Sequence, residues 1–318
     1  MAQPTNTLDS YDVRGIREDL QDIIYDISPE ETPFYTKSAK AKATNTLHEW
    51  QTDALRSSAD NAHIEGGDTA PEARSVTTRL GNYTQIFKNA VAIPGTDDGL
   101  NKAGRAREMA YQVLKIAKEQ KLDIEKAMFA NQARSAGSSV APRRLAGAPA
   151  WLTTNTVFNS GSSGADPIGD GTNARTDDGA PSAFDQTKFD NVMQQIWVAG
   201  GKPDTVYLSA FQMNRALTFT GNNNSRSNID AVSEKVIKHM SVYVTPWGTV
   251  EFVPSRENRS RDVFVMQDDM WAVGVLRPTR NTELAKTGDS EKRQIITELT
   301  LVCKNERASG GVFDNTVS

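Results

Sequence analysis

Residues 53–78 read Asp-Ala-Leu-Arg-Ser-Ser-Ala-Asp-Asn-Ala-His-Ile-Glu-Gly-Gly-Asp-Thr-Ala-Pro-Glu-Ala-Arg-Ser-Val-Thr-Thr, 26 residues with almost no core-forming side chains. On either side lies a segment with strand character, near Thr46–Thr52 and Arg79–Ile93. The reading is a long two-stranded hairpin with a large polar tip. An isolated hairpin is marginal in water, and a structureless connection of this length is unusual inside a compact domain. Such a projection makes sense when other copies of the chain support it, which points to an assembly protein.

Working outward, the second flank alternates. Tyr83, Phe87, Val91 and Ile93 share one face, and Asn82, Thr84, Lys88 and Ala90 the other. Pro94-Gly95 closes it, and Asp97 and Asp98 supply N-terminal charge for a helix. That helix is expected from about Asn101 to Asn131, a stretch free of proline. Ala106, Ala110, Val113, Ala117, Ile124 and Ala127 form its stripe, broadened by Met109, Leu114 and Met128. Lys115–Glu119 and Lys121–Glu125 are i,i+4 pairs on its wet side. At 1.5 Å per residue it is roughly 45 Å long, a spine across a subunit whose radius of gyration is about 20 Å.

Upstream, residues 1–44 read as an extended arm with short helical parts, Ile16, Leu20, Ile23 and Ile24 recurring at helical spacing. Pro29 and Pro33 are expected to end any helix. Phe34 and Tyr35 are thereby left as anchors for another surface, the alternative being that the arm packs on its own domain. Downstream, residues 154–183 are loop material, followed by alternating helix and strand. Phe189, Val192, Met193 and Ile196 mark a helix ending at Gly200-Gly201, Thr205–Leu208 is a buried strand, and Ser209 caps a second helix. Ser241–Thr245 and Thr249–Val253 form a hairpin around Pro246-Trp247-Gly248, Asp262–Gln267 and Trp271–Leu276 another pair, and Gln294–Cys303 a long C-terminal strand.

The 318 residues suit about two domains. A net charge of −4 argues against a dedicated nucleic-acid binder, although a weakly acidic chain can still line a space that holds DNA. Cys303 is the only cysteine, so no intrachain disulfide forms. The N-terminus shows no signal peptide, and no apolar run approaches the ~20 residues that span a bilayer.

No chemical motif survives scrutiny. Gly169-Asp170-Gly171-Thr172-Asn173-Ala174 fits a dinucleotide pattern but lies in a Ser/Asp/Gly loop without the strand and helix that the pattern needs. Asp166, Asp170, Gly171 and Asp177 make a poor calcium loop, because Ile168 takes a ligand position. His48, His63 and His239 show no zinc spacing. Asp97-Asp98 and Asp268-Asp269 are explained by capping and turn chemistry. The five tryptophans read as core or interface anchors. No catalytic, cofactor-binding or metal residue is assigned, and an enzyme is not expected.

The order of elements (arm, long hairpin, spine helix, α/β lobe, long C-terminal strands) is α+β and resembles the HK97-like fold of tailed-phage major capsid proteins. Particular wording sharpens the likeness to the SU10-type major capsid family: Ile27-Ser28-Pro29-Glu30-Glu31-Thr32-Pro33-Phe34, His48-Glu49-Trp50-Gln51-Thr52-Asp53, Ala62 to Glu65-Gly66, Asn82-Tyr83-Thr84-Gln85-Ile86, and Asn305-Glu306-Arg307-Ala308 with Gly310-Gly311. The resemblance spans essentially the whole chain. It implies an N-arm at 1–45, an E-loop at 46–95, the P-domain spine helix at 96–140, an A-domain at 141–250 with a polar insertion at 154–183, and a return to the P-domain sheet at 251–318. It implies a subunit that forms pentamers and hexamers of an icosahedral virion shell around double-stranded DNA, assembled in the host bacterial cytoplasm. The partners so implied are sister copies, a separate scaffolding protein, a portal and decoration proteins, with non-specific contact to packaged DNA and no membrane. An encapsulin-like compartment and a virion decoration or adhesion protein are the alternatives. The founding member cross-links through an E-loop lysine; Asp53–Thr78 holds none, so that chemistry is not expected at the tip. Phe34, Tyr35, Arg56, Arg74 and Arg79 are the inter-subunit contact candidates, the arginines seeking acidic partners on a neighbour.

Overall fold

The fold is organised by a strand, β9 (Val263–Met266), in which all four residues are buried. Successive strand side chains point to opposite faces. Val263 and Val265 accordingly enter one core while Phe264 and Met266 enter another. This is the signature of a sheet covered on both sides. In the computed structural model, which describes residues 31–56, 58–68, 71, 74–100, 107–158, 164–219, 242–286 and 288–317, that sheet has six strands. Its order is β5 (Thr156–Val157), β12 (Gly310–Val312), β9, β6 (Thr205–Leu208), β8 (Gly248–Pro254) and β7 (Val242–Thr245).

One face of this sheet carries α4 (Gln186–Val198) and α5 (Ala210–Ala216). Phe189, Val192 and Ile196 of α4 meet Val206, Leu208, Val250 and Phe252 there. Both helices start on side-chain caps: Asp185 accepts from the Lys188 amide at 2.9 Å and Ser209 from that of Gln212 at 3.5 Å. The other face looks into the larger core, where Tyr207, Phe264, Trp271, Leu299, Leu301 and Phe313 meet the C-terminal end of α3 (Glu108–Phe129).

A second sheet, of four strands, has the order β1 (Ala39–Lys42), β10 (Trp271–Leu284), β11 (Ser290–Cys303) and β4 (Gln85–Pro94). Spine helix α3 lies on it, and the Gln120 amide donates to the Phe87 carbonyl at 2.8 Å. A third sheet is the two-stranded hairpin of β2 (Leu47–Thr52) and β3 (Thr78–Tyr83). The remaining α-helices among the described residues, α1 (Pro33–Lys37) and α2 (Gly95–Gly99), are one-turn pieces at the ends of strands.

The structure corrects several expectations. The described spine helix has 22 residues, about 33 Å rather than 45 Å, and residues 101–106 lie outside the described set. Its stripe holds at Ile124, Ala127 and Met128, but Leu114 is exposed and Glu108, Gln120 and Glu125 are buried. The second flank of the hairpin is two strands. Only β3 pairs with β2, while β4 leaves to pair with β11, and Asn82 and Thr84 are buried at the crossing. Strands β9 and β10 do not pair with each other. A 3-10 turn at Asp268–Met270 carries the chain from one sheet to the next. It is pinned where Asp268 accepts from the Thr205 hydroxyl at 2.8 Å and the Tyr207 hydroxyl at 3.0 Å. The helix expected at Ile16–Ile24 lies outside the described residues.

Candidate inter-subunit surface

The hairpin stands on a buried clamp. The Asn82 side chain donates to the carbonyls of Leu301 at 2.8 Å and Ala146 at 3.3 Å, and its oxygen accepts from the Ala146 amide at 2.8 Å. Arg134 adds a bond to the Gly81 carbonyl. Thr84, just beyond, donates through its hydroxyl to Glu298 at 2.8 Å, and that buried carboxylate also holds Arg143 at 2.5 Å and Arg277 at 2.7 Å. Trp50 closes the base against Trp151, ring centres 5.4 Å apart. From this base β2 and β3 run in register from Leu47↔Tyr83 to Thr52↔Thr78.

Beyond Thr52 the tip has no strand or helix among the described residues. Leu55, Ile64 and Val76 are 99%, 88% and 89% exposed, so the subunit's own body covers none of them. Lone exposed aliphatics are ordinary, but three on one loop leave it with more uncovered apolar surface than its polar sequence suggests. Arg56 and Arg74 lie on this exposed tip among Asp53, Asp60, Glu65 and Asp68. Arg79 instead forms an ion pair with Glu49 across its own hairpin, and that partner raises its pKa. So exposed a pair contributes little to stability.

The arm ends differently from its expectation. Pro33 opens α1, because its fixed φ suits a first helical position whose N–H needs no partner. The buried carboxylate of Glu125, on α3, then accepts from the backbone amides of Phe34 at 3.0 Å and Tyr35 at 2.7 Å. Burial pushes Glu125 up to about 7 against the pull of these amides, with Glu257 raising it further and Lys40 opposing. The Phe34 ring is wholly buried among Phe129, Tyr207 and Trp271, with ring centres 5.0, 5.3 and 5.9 Å away. Its surface is therefore spent within its own chain, and it offers nothing to a neighbour. Tyr35 is half-buried, with the Lys40 ammonium 3.7 Å from its ring centre. Strand β1 then joins the sheet parallel to β10. The missed signals are Thr32-Pro33, a helix start, and Glu125, a carboxylate on the buried face of a helix.

The polar insertion is ordered by charge. Arg175, buried, binds Asp166 at 2.5 Å and the Leu152 carbonyl at 2.8 Å, and stacks 3.6 Å from the Phe313 ring centre. Arg259 bridges Asp177 at 2.5 Å and Asp262 at 2.9 Å. Burial holds Asp262 up to about 7 in spite of that partner. These ties fasten a loop to the sheet, and among the described residues no three His, Cys, Asp or Glu side chains group to hold a metal. Cys303 is buried, which pushes its thiol up.

Comparison with known proteins bears on this geometry. The major capsid protein of Escherichia phage Phieco32 is 28% identical over 348 residues, covering 98% of both chains. Among solved structures, the capsid asymmetric unit of cyanophage A-1(L) superposes with a TM-score of 0.68 at 12% identity, over 95% of this chain and 97% of that one. The capsid of a native GTA particle gives 0.60 at 10% identity, over 96% and 97%. Such low identities establish the shared HK97-type fold. The profile of the SU10 major capsid proteins matches residues 3–316, and the chain belongs to that family.

Proposed function

We propose that this major capsid protein closes its shell by laying the hairpin tip, residues 53–78, on a neighbouring subunit. Pentamers and hexamers so linked form an icosahedral capsid around the double-stranded DNA of a tailed phage, built in the host cytoplasm with scaffolding and portal proteins. The three exposed aliphatics of a tip that no part of its own body covers carry this reading. Many modest contacts of this kind sum to a stable particle through effective concentration. Within it, residues 1–45 serve as arm, 46–95 as E-loop, 96–140 as spine, 141–250 as A-domain and 251–318 as the returning sheet. Arg56 and Arg74 are the tip's recognition charges, and Tyr35 a secondary contact. The encapsulin-like and decoration readings are not favoured by a family match that spans the chain.

The test is charge reversal. Arg56→Glu and Arg74→Glu should leave the subunit folded by circular dichroism while slowing or blocking particle formation in sedimentation and electron microscopy. Normal particles from both variants would count against the tip as the contact.

A further inference from the structure

Helix α1 begins without a cap of its own. Thr32 stands at the cap position and makes no side-chain bond to the first turn. Pro33 has no N–H, which leaves the amides of Phe34 and Tyr35 as the open donors. Both are taken by one carboxyl group from α3. Oε1 of Glu125 accepts from Phe34 at 3.0 Å and Oε2 from Tyr35 at 2.7 Å.

Glu125 is 0% exposed, and the charged groups around it are occupied elsewhere. Lys40 of β1 gives its ammonium to the Tyr35 carbonyl and stands over the Tyr35 ring. Lys37 of α1 binds Glu251 at 2.6 Å. Lys121 and Lys126, on the same helix as Glu125, are exposed. The Tyr207 hydroxyl of β6 donates to Asp268. Glu257, just past β8, adds a second negative charge. A carboxyl buried without a paired cation is costly to ionise. Burial accordingly holds it at about 7, with the two amides and Lys40 opposing.

If α1 lifts away, the carboxyl regains water and its ordinary 4.5. The docked form therefore holds the proton more tightly than the open form, and docking weakens as pH rises through 7. The caged Phe34 ring is a tie that does not titrate, so pH changes how often the strap opens and not where it rests. We propose that Glu125 makes residues 33–42, α1 and β1, a proton-controlled latch on the spine helix, closed while the carboxyl is protonated and opening more often once it is not. The latch sits where the chain approaches β2 and the hairpin.

Hydrogen exchange of the unassembled subunit tests it, each amide's rate being divided by its intrinsic rate at the same pH. Between about pH 5.5 and 7.5, protection of residues 34–42 should fall about twentyfold, the change that a group moving between 4.5 and about 7 imposes. Strands β6 and β9 should keep theirs. Glu125→Gln should abolish the dependence, and Asp262→Asn, at the other raised carboxyl, should leave it intact. A flat wild-type strap, an unchanged slope in Glu125→Gln or a slope lost in Asp262→Asn would each overturn the proposal. So would an equal fall in β6 and β9, which would report loss of the whole fold. The wild-type series decides even where a variant does not fold. No particle is needed, so the outcome is separate from the role of the hairpin tip.

Discussion

Phe34→Ala separates an anchor in the subunit's own core from an anchor on a neighbour. The ring is fully buried against three aromatic rings within 5.9 Å. Replacing a core phenylalanine by alanine costs about 3–5 kcal/mol, the larger values where the surroundings cannot collapse into the space. Here the backbone at residues 34 and 35 is held by Glu125, and Tyr207 and Trp271 belong to strands locked in sheets. We therefore expect about 4 kcal/mol, a large share of the ~5–15 kcal/mol that typically separates folded from unfolded states. Urea unfolding of the unassembled subunit, followed by tryptophan fluorescence, measures it, since Trp271 touches the substituted ring. Tyr35→Ala, at a half-buried ring, is the comparison and should cost about 1–2 kcal/mol. A Phe34→Ala subunit within about 1 kcal/mol of the wild type that folds but fails to assemble would return Phe34 to the interface and refute the reasoning.

Glu125→Gln should change how stability depends on pH. The carboxyl sits at about 7 in the folded chain, above its ordinary 4.5, so its contribution is full below about 4.5 and fades as pH rises through 7. Glutamine does not titrate, so wild-type stability relative to the variant should fall between pH 5 and 8 by at most about 3 kcal/mol. Taking the difference cancels Asp262, which shifts the same way, and a flat difference would contradict the assignment. Asn82→Ala removes three buried hydrogen bonds and should cost about 2–3 kcal/mol. Hydrogen exchange in β2 and β3 should then speed up while β6 and β9 stay protected, and an unchanged hairpin would mean the clamp lies elsewhere.

What the sequence made legible was local. The polar tip, the strands around Pro246–Gly248, the cap at Ser209 and the long C-terminal strand follow from spacing and turn chemistry, which neighbours in the chain decide. Pairing is decided by distant residues. Trp271–Leu276 looked like the partner of the preceding strand because the connection is short. The 3-10 turn that separates them is pinned by Thr205 and Tyr207, some sixty residues away. Phe34 was misplaced for the same reason, since its cage comes from positions 129, 207 and 271. Asn82 alternated onto a face read as polar, and only the fold shows that this face meets the Ala146 and Leu301 carbonyls. Arg56 and Arg74 stand on exposed surface, as the polar run around them implied.

Thr84 is the single residue between β3, which belongs to the hairpin, and β4, which belongs to the body. Its amide donates to the Thr46 carbonyl on the hairpin side at 2.8 Å, and its hydroxyl to Glu298 on the body side at 2.8 Å. With Asn82, Gly81 and Trp50 also tied to the body, the base of the hairpin is rigid on both of its strands. Any bending is thereby pushed outward into residues 53–77, where a change of direction disturbs neither core.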